Sequence, residues 1–354
     1  MKKTALFSAL ALTTSVFSDG DMIAGQMKPC PQSHKNNQQS VPMMNMVTLM
    51  SANPMSDNGW YIFVSPTYWH ASVGNNDWAY KNQNVASSSP TFSMYKLDFK
   101  WAWGFKVGLG VNMDHDQWDS DIYYTWFRTR NSSAIGATDT QENFITHDLL
   151  NNGFPLGIRE HKISFNMIDW ELGRAHFVSK SLALRPHIGL KGGWINQDVS
   201  QATEYSTSSS SLKITNDFWG IGTSGGVNTS WMLGNLDSHR FSLMGDFAGA
   251  LMYGHFDNAY KIDALANATA TTTTTTIRSL NRNLAVPMLQ AMLALGWDTE
   301  FYDNQCHFGF KVGYEFQYWF RQNQMLAVSG NTGFIRLSDD LSLQGLTIDF
   351  RFDF

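Results

Sequence analysis

Residues 341–354 read L-S-L-Q-G-L-T-I-D-F-R-F-D-F. From position 346 the alternation has no fault. Leu346, Ile348, Phe350, Phe352 and Phe354 fall on one side, and Thr347, Asp349, Arg351 and Asp353 on the other. Successive side chains of a strand point to opposite faces, so this is a strand with one apolar and one charged face. A soluble sheet can carry the same pattern. The rest of the chain decides between them, through whether the pattern repeats and how long the connections are.

Position adds weight to the membrane reading. A terminal strand closing on an aromatic residue is the expected signature of outer-membrane β-barrels, and Phe354 is the expected assembly signal read by the barrel-assembly machinery. The other end predicts the compartment. Lys2 and Lys3 precede a mostly apolar stretch at 4–16, followed by Val16-Phe17-Ser18. That stretch is too short to span a bilayer as a helix. Residues 1–18 are expected to be a secretory signal peptide and are set aside from fold reasoning. Removing the two lysines takes the formal charge from −5 to −7, a mildly acidic balance that argues against nucleic acid.

Composition agrees. Charged residues make up 16% of the chain, below the usual quarter, while aromatics reach 14%. Mean hydropathy is −0.26. Past residue 18 no apolar run is long enough for a membrane helix. A membrane protein that is polar on average fits a barrel, since half of each strand faces lipid and half a wet interior.

Residues 19–58 lack alternation and are expected to be an N-terminal periplasmic segment, either mobile or partly a short Met-rich helix. Alternating segments then recur near 60–70, 95–111, 118–128, 163–178, 182–194, 213–233, 241–253, 284–297, 307–320 and 341–354. The pattern predicts an all-β, antiparallel transmembrane barrel at 59–354 with about ten strands, in a range of 8–12. The fourth segment breaks phase at Phe165 and Met167, for which a bulge near 167 is expected. Long connections are expected at 72–94, 129–161, 200–212, 257–282 and 321–340, with short turns at 112–116, 179–181, 234–238 and 299–305. Long extracellular loops and short periplasmic turns are the rule in membrane barrels. Trp60, Trp118, Trp126, Trp194, Trp219, Trp231, Trp297 and Tyr318 sit near strand ends on the apolar face, where interfacial girdles form.

No chemistry-bearing motif survives its context. Gly222-Thr-Ser-Gly-Gly226 matches G-x-S-x-G, but a hydrolase elbow needs a strand–turn–helix setting, and Ser224 falls inside a strand. Asp114-His115-Asp116 sits in a tight turn, where Asp is a turn former. Neither H-E-x-x-H nor C-x-x-C occurs. No enzyme activity, metal or cofactor is expected.

LGWDT at 295–299 and HFGFKVGYEFQYWFRQNQ at 307–324 resemble the major-outer-membrane-protein-like family of Legionella and chlamydial type. DWELGR at 169–174, LRPHIG at 184–189 and DQWD at 116–119 look like further pieces of that pattern. The resemblance covers roughly 59–354. It implies a pore-forming barrel abundant in the outer membrane, with no catalytic residues to carry over.

The expected function is a porin-like channel for passive diffusion of small hydrophilic solutes and ions. The alternative is a structural or adhesive surface barrel with a mostly closed lumen. Asp98, Lys100, Lys106, Asp121, Asp169, Glu171, Arg185, Lys191, Asp246, Lys311, Glu315 and Arg351 are the expected pore-lining residues. Adding Asp119, Asp298, Asp349, Asp353 and Lys96 makes ten acids against seven bases on the inward faces. That excess predicts a mild, salt-screened cation preference. Small inward residues such as Gly104, Gly108 and Gly110 favour an open bore. Cys30 and Cys306 are expected to pair in the periplasm, the alternatives being separate thiols or intermolecular bonds. Expected partners are outer-membrane lipids, the assembly machinery and small solutes.

Overall fold

The computed structural model of the chain describes residues 59–82, 92–113, 116–136, 143–146, 156–205, 208–236, 239–266, 271–301, 306–329 and 333–354. The expected signal peptide and the segment 19–58, with Cys30, lie outside the described residues. So do Asp114 and His115.

Ten strands form the barrel: β1 (Gly59–Val73), β4 (Ala102–Asn112), β5 (Trp118–Gly136), β7 (Leu156–Arg174), β9 (Leu182–Tyr205), β10 (Ser208–Leu236), β11 (His239–Ala266), β12 (Thr271–Phe301), β13 (Cys306–Ser329) and β14 (Gly333–Asp353). Each pairs antiparallel with its neighbour, β9 pairs β10, and β14 pairs back onto β1, so the sheet closes. Closure removes the exposed edges that a sheet would otherwise present to lipid. The seam runs from Tyr61↔Asp353 to Val73↔Leu341. Phe354 adds one bond, donating its N–H to the Trp60 carbonyl at 3.0 Å. A small separate sheet, β3 (Phe92–Lys96), β2 (Asp77–Asn82) and β6 (Asn143–Thr146), gathers two connections at one end. A two-residue strand, β8 (His176–Phe177), edges the turn before β9.

The outward face is apolar. Trp103, Leu293 and Leu295 are each 61% exposed, and Val107, Leu109, Ile122, Ile188, Ile221 and Phe247 are exposed with them. A continuous apolar belt of this size is incompatible with water and fits lipid. Its edges carry the expected aromatics. Trp60, Trp194, Trp219 and Trp231 are exposed and none of the eight is buried. On β10, Trp231 lies twelve positions beyond Trp219. At about 3.3 Å per residue and a tilt of about 45°, they stand roughly 28 Å apart across the membrane.

Three expectations are corrected. The second strand does not begin at 95. Residues 97–101 are not strand, and Leu97 and Phe99 turn inward and are buried. The fourth strand has no bulge: β7 pairs β5 and β9 in unbroken register through Phe165, Met167 and Asp169. Phe165 and Met167 are apolar residues that face the interior, so the phase never slips. Finally, 200–212, 257–282 and 321–340 are mostly strand. The Thr271–Thr276 run pairs with β11 and is exposed. β-branched Thr favours extended backbone, and an antiparallel ladder beyond the membrane needs no core to satisfy its amides.

Candidate functional site in the barrel interior

The inner face changes character along its height. Near the short-turn end it is charged. Arg185 on β9 is 1% exposed. Its Nε donates to both oxygens of Asp119 at 2.9 Å, and its Nη2 to Asp119 and, at 3.2 Å, to Asp121. Its Nη1 reaches Asn228 at 2.8 Å and Glu171 at 3.4 Å. Register explains this meeting, because Asp121 lies opposite Glu171 and Asn228 opposite Arg185. Tyr61 and Tyr123 donate to Asp121 and Glu171 at 3.1 and 3.0 Å.

Further pairs complete the layer. Lys106 Nζ donates to both oxygens of Glu315 at 2.7 Å, and Thr347 donates to the same carboxylate at 2.9 Å. Lys191 pairs with Asp169. Lys311 lies 3.3 Å from Asp349 and 3.7 Å from Asp246. At the turn end Arg351 donates to Asp353 at 2.9 Å and lies 3.6 Å from the centre of the Tyr61 ring. His307 bridges Asp353 and Asp298 at 2.5 and 3.1 Å. Among these groups is a cavity of about 160 Å³.

Nine of the twelve expected pore residues line that cavity: Lys106, Asp121, Asp169, Glu171, Arg185, Lys191, Asp246, Lys311 and Arg351. Glu315 stands beside it through Lys106. Asp98 and Lys100 do not. They are exposed in the non-strand segment before β4, and Asp98 pairs with Lys96 at 3.5 Å. The inverted phase at Leu97 and Phe99 turns them away from the lumen.

Above the charged layer the interior is apolar. Trp69, Phe127, Phe165, Ile195, Phe218, Met252, Met288, Trp319 and Leu343 form one buried cluster, with Ala102 packed against it. Every barrel strand contributes to it. Trp69 meets Phe127 at 5.7 Å, Phe165 meets Trp319 at 5.6 Å and Phe218 meets Phe256 at 4.9 Å, within the range of favourable ring contacts. Polar–apolar alternation does not reveal this layer, because it assigns apolar residues to lipid. Parity does: Trp69 shares the phase of Ser65 and Thr67, and Trp319 that of Glu315 and Gln317.

Two of the inward glycines, Gly108 and Gly110, do not widen the bore. Gly108 faces Phe63 and Gly110 faces Tyr61 across β1–β4. A Cβ on Gly108 would come within 2.5 Å of the Phe63 ring, and one on Gly110 would overlap the Tyr61 ring. Aromatic rings fill the space that each glycine leaves. Ser224 of the G-x-S-x-G match sits mid-strand in β10, paired with Ala250 and Gly189.

A closed antiparallel barrel with a lipid-compatible belt and a charged interior defines an outer-membrane β-barrel protein. The sequence matches the family model for the Legionella pneumophila major outer membrane protein precursor over residues 52–354, and the chain belongs to that family. No curated protein matches it. Among solved structures it is similar to a Pseudomonas aeruginosa FadL homologue, at 10% identity, 84% of this chain, 90% of that one and a TM-score of 0.27. It is also similar to the translocator domain of the Neisseria meningitidis autotransporter NalP, at 9% identity, 84% and 88% coverage and a TM-score of 0.32. The TodX monoaromatic hydrocarbon channel matches at 8% identity, 84% and 90% coverage and a TM-score of 0.30. Likenesses at these scores say nothing about solutes.

Proposed function

We propose that this outer-membrane barrel is a channel for small hydrophilic solutes and ions, shut in the described conformation. The supporting observation is the charged cavity. A barrel serving only as scaffold gains nothing from buried ion pairs, since well-packed apolar residues of similar volume are often as stable or more so. Five acids and five bases around one cavity are what a path for charged or strongly polar solutes needs. The chain would reach the outer membrane through its signal peptide, the periplasm and the assembly machinery, with lipids around the belt.

The apolar cluster across the lumen favours a second reading, a structural or adhesive barrel that never conducts. Ten strands lie only slightly above the count at which side chains alone fill the interior. Planar-bilayer recording of the purified, folded protein separates the two. Discrete conductance steps that scale with salt are expected. Silence at every voltage and salt concentration, with the protein shown to be inserted, would favour the scaffold.

A further inference from the structure

We infer that the outer part of the β13–β14 hairpin is a gate, folded into the long-loop mouth and latched to β10 and β11 by Asn216 and Asn258. This rests on the channel reading. The wall itself supplies the first observation. Pairing of β12 with β13 stops at Met288↔Trp319, although β12 continues along β11 to Thr271 and β13 continues to Ser329. Above Trp319 the two strands part.

The chain kinks at the same place. The β13–β14 register shifts between Trp319 and Asn323, and Arg321 has φ 56°, the left-handed region that a non-glycine side chain rarely adopts. Asp340 braces the kink, accepting from the Arg321 N–H at 2.7 Å and the Tyr318 hydroxyl at 2.6 Å.

Burial then shows where the kinked arm goes. Gln322, Asn323, Gln324, Met325, Leu326 and Ala327 are buried in succession. A hairpin standing free above the membrane would expose alternate residues, so both faces of the arm's β13 half are covered, while its β14 half stays half-buried to exposed at 335–340. Its partners belong to strands that are not its sheet neighbours. Asn216 of β10 donates to the Gln322 carbonyl at 3.2 Å, and Asn258 of β11 to the Gln324 carbonyl at 2.7 Å. Gln197 of β9 donates to the Gln322 side chain at 2.5 Å. Met325 and Leu326 pack with Val199, Leu212, Ile214 and Tyr260. On the near side Asn323 donates to the Gly74 carbonyl at 3.0 Å.

The arm thus crosses the mouth from the β1 side to β9–β11. Its far anchor is two side chains holding backbone carbonyls, one amide pair and the apolar contact of Met325 and Leu326. Such a latch can be released without breaking any barrel ladder. Trp319, the last residue before the kink, also belongs to the apolar cluster in the lumen. Lifting the arm would open that cluster beside Phe165.

The test locks and frees the arm. In a Cys30→Ser, Cys306→Ser background, Asn258→Cys and Gln324→Cys are joined by a short bis-thiol linker, and heat-modifiable migration reports folding. Conductance in planar bilayers should fall at least tenfold relative to the same protein before linking. In the native-cysteine background, Asn216→Ala with Asn258→Ala should raise open probability several-fold at unchanged single-channel conductance. A hairpin shortened to an Asn-Gly turn after Gln322 should stay open. Equal conductance of the linked and unlinked forms, or no change in the double-alanine variant, would overturn the gate and leave the channel reading standing. Silence of all forms, the shortened hairpin included, would overturn both.

Discussion

Arg185→Ala tests whether the lumen is packed or a wide aqueous bore. The guanidinium lies 2.9 Å from Asp119 and 3.2 Å from Asp121, at 1% exposure. At an effective dielectric of about 20, two unit charges 3 Å apart attract by roughly 5–6 kcal/mol; in bulk water the figure is about 1.4. Removing the cation leaves Asp119, Asp121 and Glu171 crowded together without it. Breaking a buried pair from one side costs about 3–5 kcal/mol, whereas an exposed pair is worth about 0–1. The assay is urea unfolding of the barrel in lipid vesicles, followed by heat-modifiable migration. With an m-value of roughly 3 kcal/mol/M, the midpoint should fall by about 1–1.7 M. Adding Asp119→Asn and Asp121→Asn should recover part of the loss, because the residual repulsion is removed. A midpoint shift below about 0.2 M would mean that these groups sit in bulk-like water and that the packed lumen is wrong.

Four further outcomes are expected. Gly110→Val should destabilise the barrel by about 1–3 kcal/mol in the same assay, because its side chain must displace the Tyr61 ring; an unchanged midpoint would show that the ring is not confined. Deleting Phe354 should lower the amount of folded barrel in the outer membrane, and unchanged levels of heat-modifiable protein would count against its role in assembly. Cys30 and Cys306 should be recovered as one linked peptide pair under non-reducing mass mapping, and two free thiols would sink that pairing. With Asp98, Lys96 and Lys100 outside the lumen, nine acids stand inside against five lysines and arginines, so cation preference should exceed that expected from ten against seven. Reversal potential in a KCl gradient should show this at low salt and lose it as ionic strength rises; anion preference would refute it.

How much was legible in the sequence depends on which interaction set each feature. The strand count, the closed barrel and the lipid-facing residues followed from residues such as Leu346, Phe350 and Trp103, because a period of two against a bilayer is a local rule that each strand obeys alone. The charged layer was readable for the same reason, since Lys106, Arg185 and Glu315 sit on the polar phase of their own strands. Asp98 and Lys100 were misplaced because backbone irregularity at 97–101, which no periodicity announces, turns them outward. The pairing of Arg185 with Asp119, of Lys106 with Glu315, and of Asn258 with Gln324 depends on register across a closed cylinder. There the partners lie 66, 209 and 66 residues apart. The filling of the lumen was likewise decided only by tertiary structure. An inward Trp69 or Trp319 is as apolar as a lipid-facing one, and only its parity with polar neighbours such as Thr67 and Gln317 sets it inward; what makes it a plug is the ring of aromatic residues that closure brings to the same height.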